Sequence, residues 1–119
     1  MTDDGLDGIR RRFSRLYPSH IDVGKGWHPI LLELDAELAT IDPTLRYVQI
    51  KERYGGLRTY TTRPSPENWS AVRRAKRRAQ DAALRTCESC GSAGTMHSRL
   101  GWYRTLCPSC AAESEYVRV

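Results

Sequence analysis

A chain of 119 residues with 39 % hydrophobic residues can build one small domain with a modest core. Its longest purely aliphatic run is Ile30-Leu31-Leu32, and Met1-Thr2-Asp3-Asp4 is acidic, which argues against a membrane-spanning helix and a secretory leader. The formal charge of +5 favours anionic partners, and the composition places the chain in the cytoplasm with reduced thiols.

The first predicted element is an amphipathic helix with Leu6, Ile9, Phe13 and Leu16 on its apolar stripe and Pro18 at its end. A second helix starts near Trp27 or Pro29. It buries Leu31, Leu34, Leu38 and Ile41, turns Glu33, Asp35 and Glu37 to water, and stops at Asp42-Pro43. Residues 45–62 read as a β-hairpin, with strands 45–51 and 57–62 and a turn freed by Gly55-Gly56. Gly24-Lys25-Gly26 lacks the pattern of a phosphate-binding loop and reads as a connection. His20, Asp22 and His28 could be gathered into a metal or acid–base site, but scattered loop residues support that poorly.

Thr61 to Pro66 form an irregular connector to a third helix over 66–85, with Ser65 as N-cap, Pro66 at the first position and Glu67 in the first turn. Its apolar stripe is Trp69, Val72, Ala75, Ala79 and Ala82, a lining on which a second copy could also pack to form a dimer. The other side carries Arg73, Arg74, Lys76, Arg77 and Arg78. Residues 1–62 hold nine basic and nine acidic residues, residues 86–119 three of each, and residues 63–85 seven basic and two acidic. The whole positive excess therefore sits on this helix and the connector before it. Guanidinium groups at i, i+1, i+4 and i+5 project from one side over two turns and suit phosphate oxygens. Nucleic acid is the first candidate partner, an acidic protein surface the second, and a solvated face the bland reading.

Only four cysteines occur, in two pairs: Cys87-Glu88-Ser89-Cys90 and Cys107-Pro108-Ser109-Cys110, with 16 residues between the pairs. This is tetrahedral thiolate zinc spacing, Cys87, Cys90, Cys107 and Cys110 being the ligands. Four thiolates leave no position for a reacting water, so the Zn2+ is structural. Disulfides are the alternative, and they need an oxidising compartment. Gly91 to Gly94 let the chain out of the first knuckle, and Thr95 to Arg99 with Trp102 to Leu106 read as strands about a Leu100-Gly101 turn. With four cysteines on the ion, His97 is expected at the surface. No catalytic constellation stands out, and the Asp-His and downstream His/Asn signals of HNH-type nucleases are missing.

The expectation is an α+β protein: two N-terminal helices, a hairpin, a long basic helix and a four-cysteine zinc ribbon. Residues 1–85 form the α+β part and residues 86–119 the ribbon packed on it. Lys51, Arg53, Tyr54 and Arg58 form a candidate contact loop, whose bland reading is a turn packed on the ribbon through Tyr54 and Leu57. A small nucleotide signal bound by Arg53, Arg58 and Arg104 is a third, weaker alternative.

The segment from Gln49 to Tyr60, QIKERYGGLRTY, resembles the QIKEKFGGLRFY stretch of small proteins encoded by tailed phages and prophages. So do Gly26-Trp27, Ile41-Asp42-Pro43, the Cys87-Glu88-Ser89-Cys90-Gly91 knuckle and the stretch from Gly101 to Cys110. Members often end in His where this chain has Cys110, and Arg53-Tyr54 and Thr59-Tyr60 replace Lys-Phe and Phe-Tyr. The resemblance spans about residues 26–111. It implies a phage accessory protein acting in a bacterial host, by binding nucleic acid or by disabling a host regulator or defence protein.

Overall fold

The computed structural model describes residues 4–119, so Met1, Thr2 and Asp3 of the acidic N-terminus lie outside the described residues. Helix α1 covers only Asp7–Arg10. Leu6, Ile9 and Phe13 are buried as the pattern predicts, but Leu16 is 87 % exposed. The chain abandons the helix because a strand offers better partners. Ser14 N–H donates to the Tyr47 carbonyl and Tyr47 N–H to the Arg12 carbonyl, each over 2.9 Å. The Phe13 and Tyr47 rings meet with centroids 5.5 Å apart.

A short strand β1 (Ile21–Asp22) and a 3-10 turn (Lys25–Trp27) lead into α2 (His28–Ile41). Leu31, Leu34 and Leu38 are buried along α2, with Ile41 packed at the margin of the same core. Asp35 departs from the wet face assigned to it: it is half-buried, pairs with Arg12 at 2.9 Å and accepts the Tyr47 hydroxyl at 2.6 Å. Asp42 ends α2 and holds three groups. It accepts Ser65 N–H at 3.0 Å through one oxygen, and the Thr44 hydroxyl at 2.8 Å and amide at 3.3 Å through the other.

The hairpin pairs β2 (Tyr47–Arg53) with β3 (Gly56–Thr61), while β1 adds to β2 in parallel. Within the expected turn of residues 52–56, the two-residue turn proper is Tyr54-Gly55, since Gly56 already pairs with Arg53. Tyr54 and Gly55 have φ of 53° and 81°, the two positive values that a type I′ turn requires.

A 3-10 turn (Pro66–Asn68) opens α3 (Trp69–Ala83), without a side-chain cap from Ser65. Val72, Ala75, Ala79 and Ala83 are buried. Ala83 replaces the expected Ala82 because spacings of three, four and four keep to one face. The small residues let α3 approach α2 and β3, so the alanine face is already occupied within the chain. Trp69 is not on that face; it is 65 % exposed.

Beyond α3, β4 (Thr95–Arg99) and β5 (Trp102–Leu106) form a second hairpin, followed by α4 (Pro108–Glu113) and β6 (Val117–Arg118). This sheet has the order β5-β4-β6. The turn Leu100-Gly101 again has two positive φ values, 51° and 85°. His97 is only 5 % exposed, against the surface position expected for it. It lies on the central strand β4, and its Nδ1 is 2.8 Å from the Thr95 carbonyl. Among the described residues no helix is long and apolar enough to cross a membrane.

Candidate metal centre and basic face

Two different local structures present the four thiols. After α3, Thr86 bridges Ala93, Cys87 N–H donates to the Ser92 carbonyl at 2.7 Å, and Gly91 N–H donates back to the Cys87 carbonyl at 2.9 Å. Gly91 sits at φ 86°, where a side chain would be strained. The second knuckle is a helix start. Cys107 caps α4 with its sulfur accepting Cys110 N–H at 3.4 Å, and Pro108 fills the first helical position.

The Sγ atoms of Cys87, Cys90, Cys107 and Cys110 all lie within 4.8 Å of one another, those of Cys90 and Cys107 3.6 Å apart. All four are free cysteines, with no disulfide among them. Four thiolates about 2.3 Å from a central ion stand about 3.8 Å apart in a tetrahedron, so the cluster is the right size for a metal. Cys87 and Cys107 are buried, Cys110 is half-buried and Cys90 exposed, which puts the centre at a rim. The Ser92 hydroxyl and amide, then the sulfurs of Cys107 and Cys87, hold Cys90 down to about 6. Hydrogen bonding to Cys107 and burial push Cys110 up to about 12. A bound cation favours the thiolate at all four.

The first knuckle is seated on the N-terminal part of the chain. Gly26 N–H donates to the Glu88 carbonyl, and the Trp27 indole N–H to the Thr86 carbonyl, each over 2.8 Å. The buried Glu88 carboxylate accepts Gly24 N–H at 2.9 Å and faces Arg104 Nε at 3.5 Å. Burial raises its pKa, against the pull of those two partners. From the hairpin side, Thr105 Oγ1 donates to the Gly55 carbonyl at 2.8 Å. Sequence reasoning misses that Gly24-Lys25-Gly26 is this seat. A small-residue pair before an apolar Trp was its only trace.

The five basic residues predicted on α3 divide. Arg73, Arg74 and Arg77 are exposed and form no ion pair among the described residues. Arg78 pairs with Glu37 of α2. Lys76 is half-buried and donates to Thr61 Oγ1 at 2.7 Å, and burial lowers its pKa. Between α3 and residues 61–64 runs a groove of ≈ 470 Å³ lined by Arg63, Trp69, Val72, Arg73, Lys76 and Arg77 among others, with no acidic residue in its lining.

Lys51 and Arg58 are cross-strand partners on the first hairpin, and the Arg53 guanidinium lies 5.2 Å from the centroid of the Tyr54 ring. Leu57 is buried, but Tyr54 is exposed rather than packed against the second hairpin. Lys51, Glu52, Arg53 and Tyr54 line a cleft of ≈ 490 Å³ whose other wall is Leu100, Gly101, Trp102 and Tyr103. Arg58 and Arg104 line no part of it, and Arg104 is spent on Glu88 and the Tyr116 ring, so Arg53, Arg58 and Arg104 do not converge. His20, Asp22 and His28 do not gather into a metal cluster either; among the described residues only the four cysteines do.

Compared with protein-family models, curated proteins and solved structures, the chain matches none.

Proposed function

We propose that the chain is a non-catalytic, zinc-stabilised protein that binds nucleic acid through α3, acting as a phage accessory protein in the cytoplasm of a bacterial host. Zinc is the choice among soft metals because an all-thiolate tetrahedron in a reduced compartment suits its structural use, with no redox partner needed. The phage role rests on the sequence resemblance alone. The single observation that carries nucleic-acid binding is the set of Arg73, Arg74 and Arg77: exposed, unpaired and on one helix, in the segment that holds the chain's entire positive excess. Three such guanidiniums on phosphates make binding fall steeply with salt.

Titration of the zinc-loaded protein into labelled DNA and RNA at low and physiological salt tests this. Salt-sensitive binding that the triple variant Arg73→Glu, Arg74→Glu, Arg77→Glu abolishes without lowering the melting temperature supports it. Retained binding in that variant moves the site elsewhere.

A second reading has its own observation. Tyr54, Leu100, Trp102 and Tyr103 stand exposed around the cleft between the hairpin tips, beside Lys51 and Arg53. Trp, Tyr and Arg dominate the binding energy of protein interfaces, so this cleft suits a segment of a host protein, and its two bases against the single acid Glu52 favour an acidic one. Absence of nucleic-acid binding at low salt would put this reading first.

A further inference from the structure

We infer that the groove beside α3 takes single-stranded nucleic acid, with a base stacked on Trp69 and neighbouring phosphates on Arg63, Arg73 and Arg77. The inference rests on the nucleic-acid reading above and narrows it from nucleic acid at large to an unpaired strand.

Three observations lead here. Trp69 is 65 % exposed, although burying a side chain of this size would contribute favourably to folding. At 100° per residue, Trp69 lies on the flank of the helix shared by Arg73, Lys76 and Arg77, not on the Val72–Ala79 face. Its indole and the guanidiniums of Arg63, Arg73 and Arg77 therefore line one groove. Every charged residue in that lining is basic, and Lys76, though tied to Thr61, adds its field to the same wall. An aromatic face beside unpaired guanidiniums is what an unstacked base and its phosphates need.

The shape opposes a duplex. A helix with its side chains is 10–12 Å across and by itself fills a major groove about 12 Å wide. Here α3 is packed against α2 and β3, and residues 61–64 form the far wall of the groove. Inside a duplex, moreover, no base face is free to stack on Trp69. The ≈ 470 Å³ of this open groove falls in the usual size range of ligand sites.

The experiment compares the zinc-loaded full chain on a short single strand, as DNA and as RNA, and on the duplex of the same sequence. Single strands should bind about tenfold or more tighter than duplex. Trp69→Ala should weaken single-strand binding about 5- to 150-fold, the range for loss of one stacked base, with an unchanged melting temperature because the ring is exposed. Trp69→Phe should recover most of it. In a Trp102→Phe background, adding single strand should quench the Trp69 emission, since Trp27 is buried. Equal or tighter duplex binding, an unaffected Trp69→Ala variant, or no quenching overturns this inference and leaves the arginine reading standing. No binding of any form at low salt overturns both.

Discussion

Gly26 N–H donates to the carbonyl of Glu88 across 2.8 Å, and a Cβ on Gly26 would stand 2.6 Å from that same oxygen. The contact joins the turn before α2 to the knuckle of the first cysteine pair. Glycine is required here for proximity alone. The added carbon would also overlap the Cys87 carbonyl and come within 2.6 Å of Gly91 N, all of it backbone and none able to swing away. Gly26→Ala should therefore destabilise the metal-loaded protein by about 2 kcal/mol or more. The denaturant midpoint reads this; an unchanged midpoint would mean the knuckle is not seated on the turn.

The same seat makes Trp27 a reporter of the metal centre. Its ring is fully buried and its N–H is spent on the Thr86 carbonyl, one residue before Cys87. Cys90→Ser, or chelation of the native protein, should abolish metal content and lower the melting temperature markedly. The Trp27 emission should shift to the red as water reaches it. Metal affinity should also fall with falling pH, because protons compete for the thiolates. Unchanged zinc content and an unchanged melting curve in Cys90→Ser would remove the metal from the account of this fold.

How far the sequence foretold all this depends on which forces act locally. The turn Leu100-Gly101, the strands about it and the cysteine cluster were legible, because turn chemistry and ligand spacing are read from neighbouring residues. The first helix was overextended because Leu16 continues a 3.6-residue pattern; the competing hydrogen bonds to Tyr47 come from a strand far along the chain. Periodicity puts Trp69 in the core because it identifies a face only to within a side chain's width. The surface position expected for His97 follows from the four cysteines leaving it no ligand role; what buries it is pairing with β6, a two-residue strand too short to read from the sequence. The seat at Gly24 to Trp27 is a backbone contact, and backbone contacts leave little trace in side-chain pattern.

Asp42 gives a pH dependence with a definite sign. The Ser65 amide, then the Thr44 hydroxyl, hold its carboxyl below the ordinary aspartate value, with burial working against them. The folded value thus lies under the unfolded one of about 3.9. Its stabilisation is complete above that value and is lost as pH falls through the folded one. Asp42→Asn should lower the melting temperature by several degrees at neutral pH, because one carboxylate ties the end of α2 to the start of the helical turn before α3. The gap between variant and parent should narrow as pH falls below the ordinary aspartate value. A gap that stays constant from pH 7 to pH 3 would show that shape, not charge, matters at this position.

The two hairpin tips break the same local rule. A type I′ turn wants Asn or Gly at its first position, and these turns carry Tyr54 at φ 53° and Leu100 at φ 51°. Leu100 is 90 % exposed, so the fold recovers little burial energy in return for the left-handed backbone. Leu100→Asn should therefore stabilise the protein by about 0.5–1 kcal/mol, read as a rise in the denaturant midpoint. Tyr54→Asn should give less, because it also removes the Arg53 guanidinium from its place over the ring. A bulky residue kept at a strained, exposed tip implies a use for its surface, so Leu100→Asn is also the variant to try on any partner of the cleft beside it. A fall in stability on Leu100→Asn would instead mean that the leucine is held by contacts within the fold, and the strain argument would be wrong.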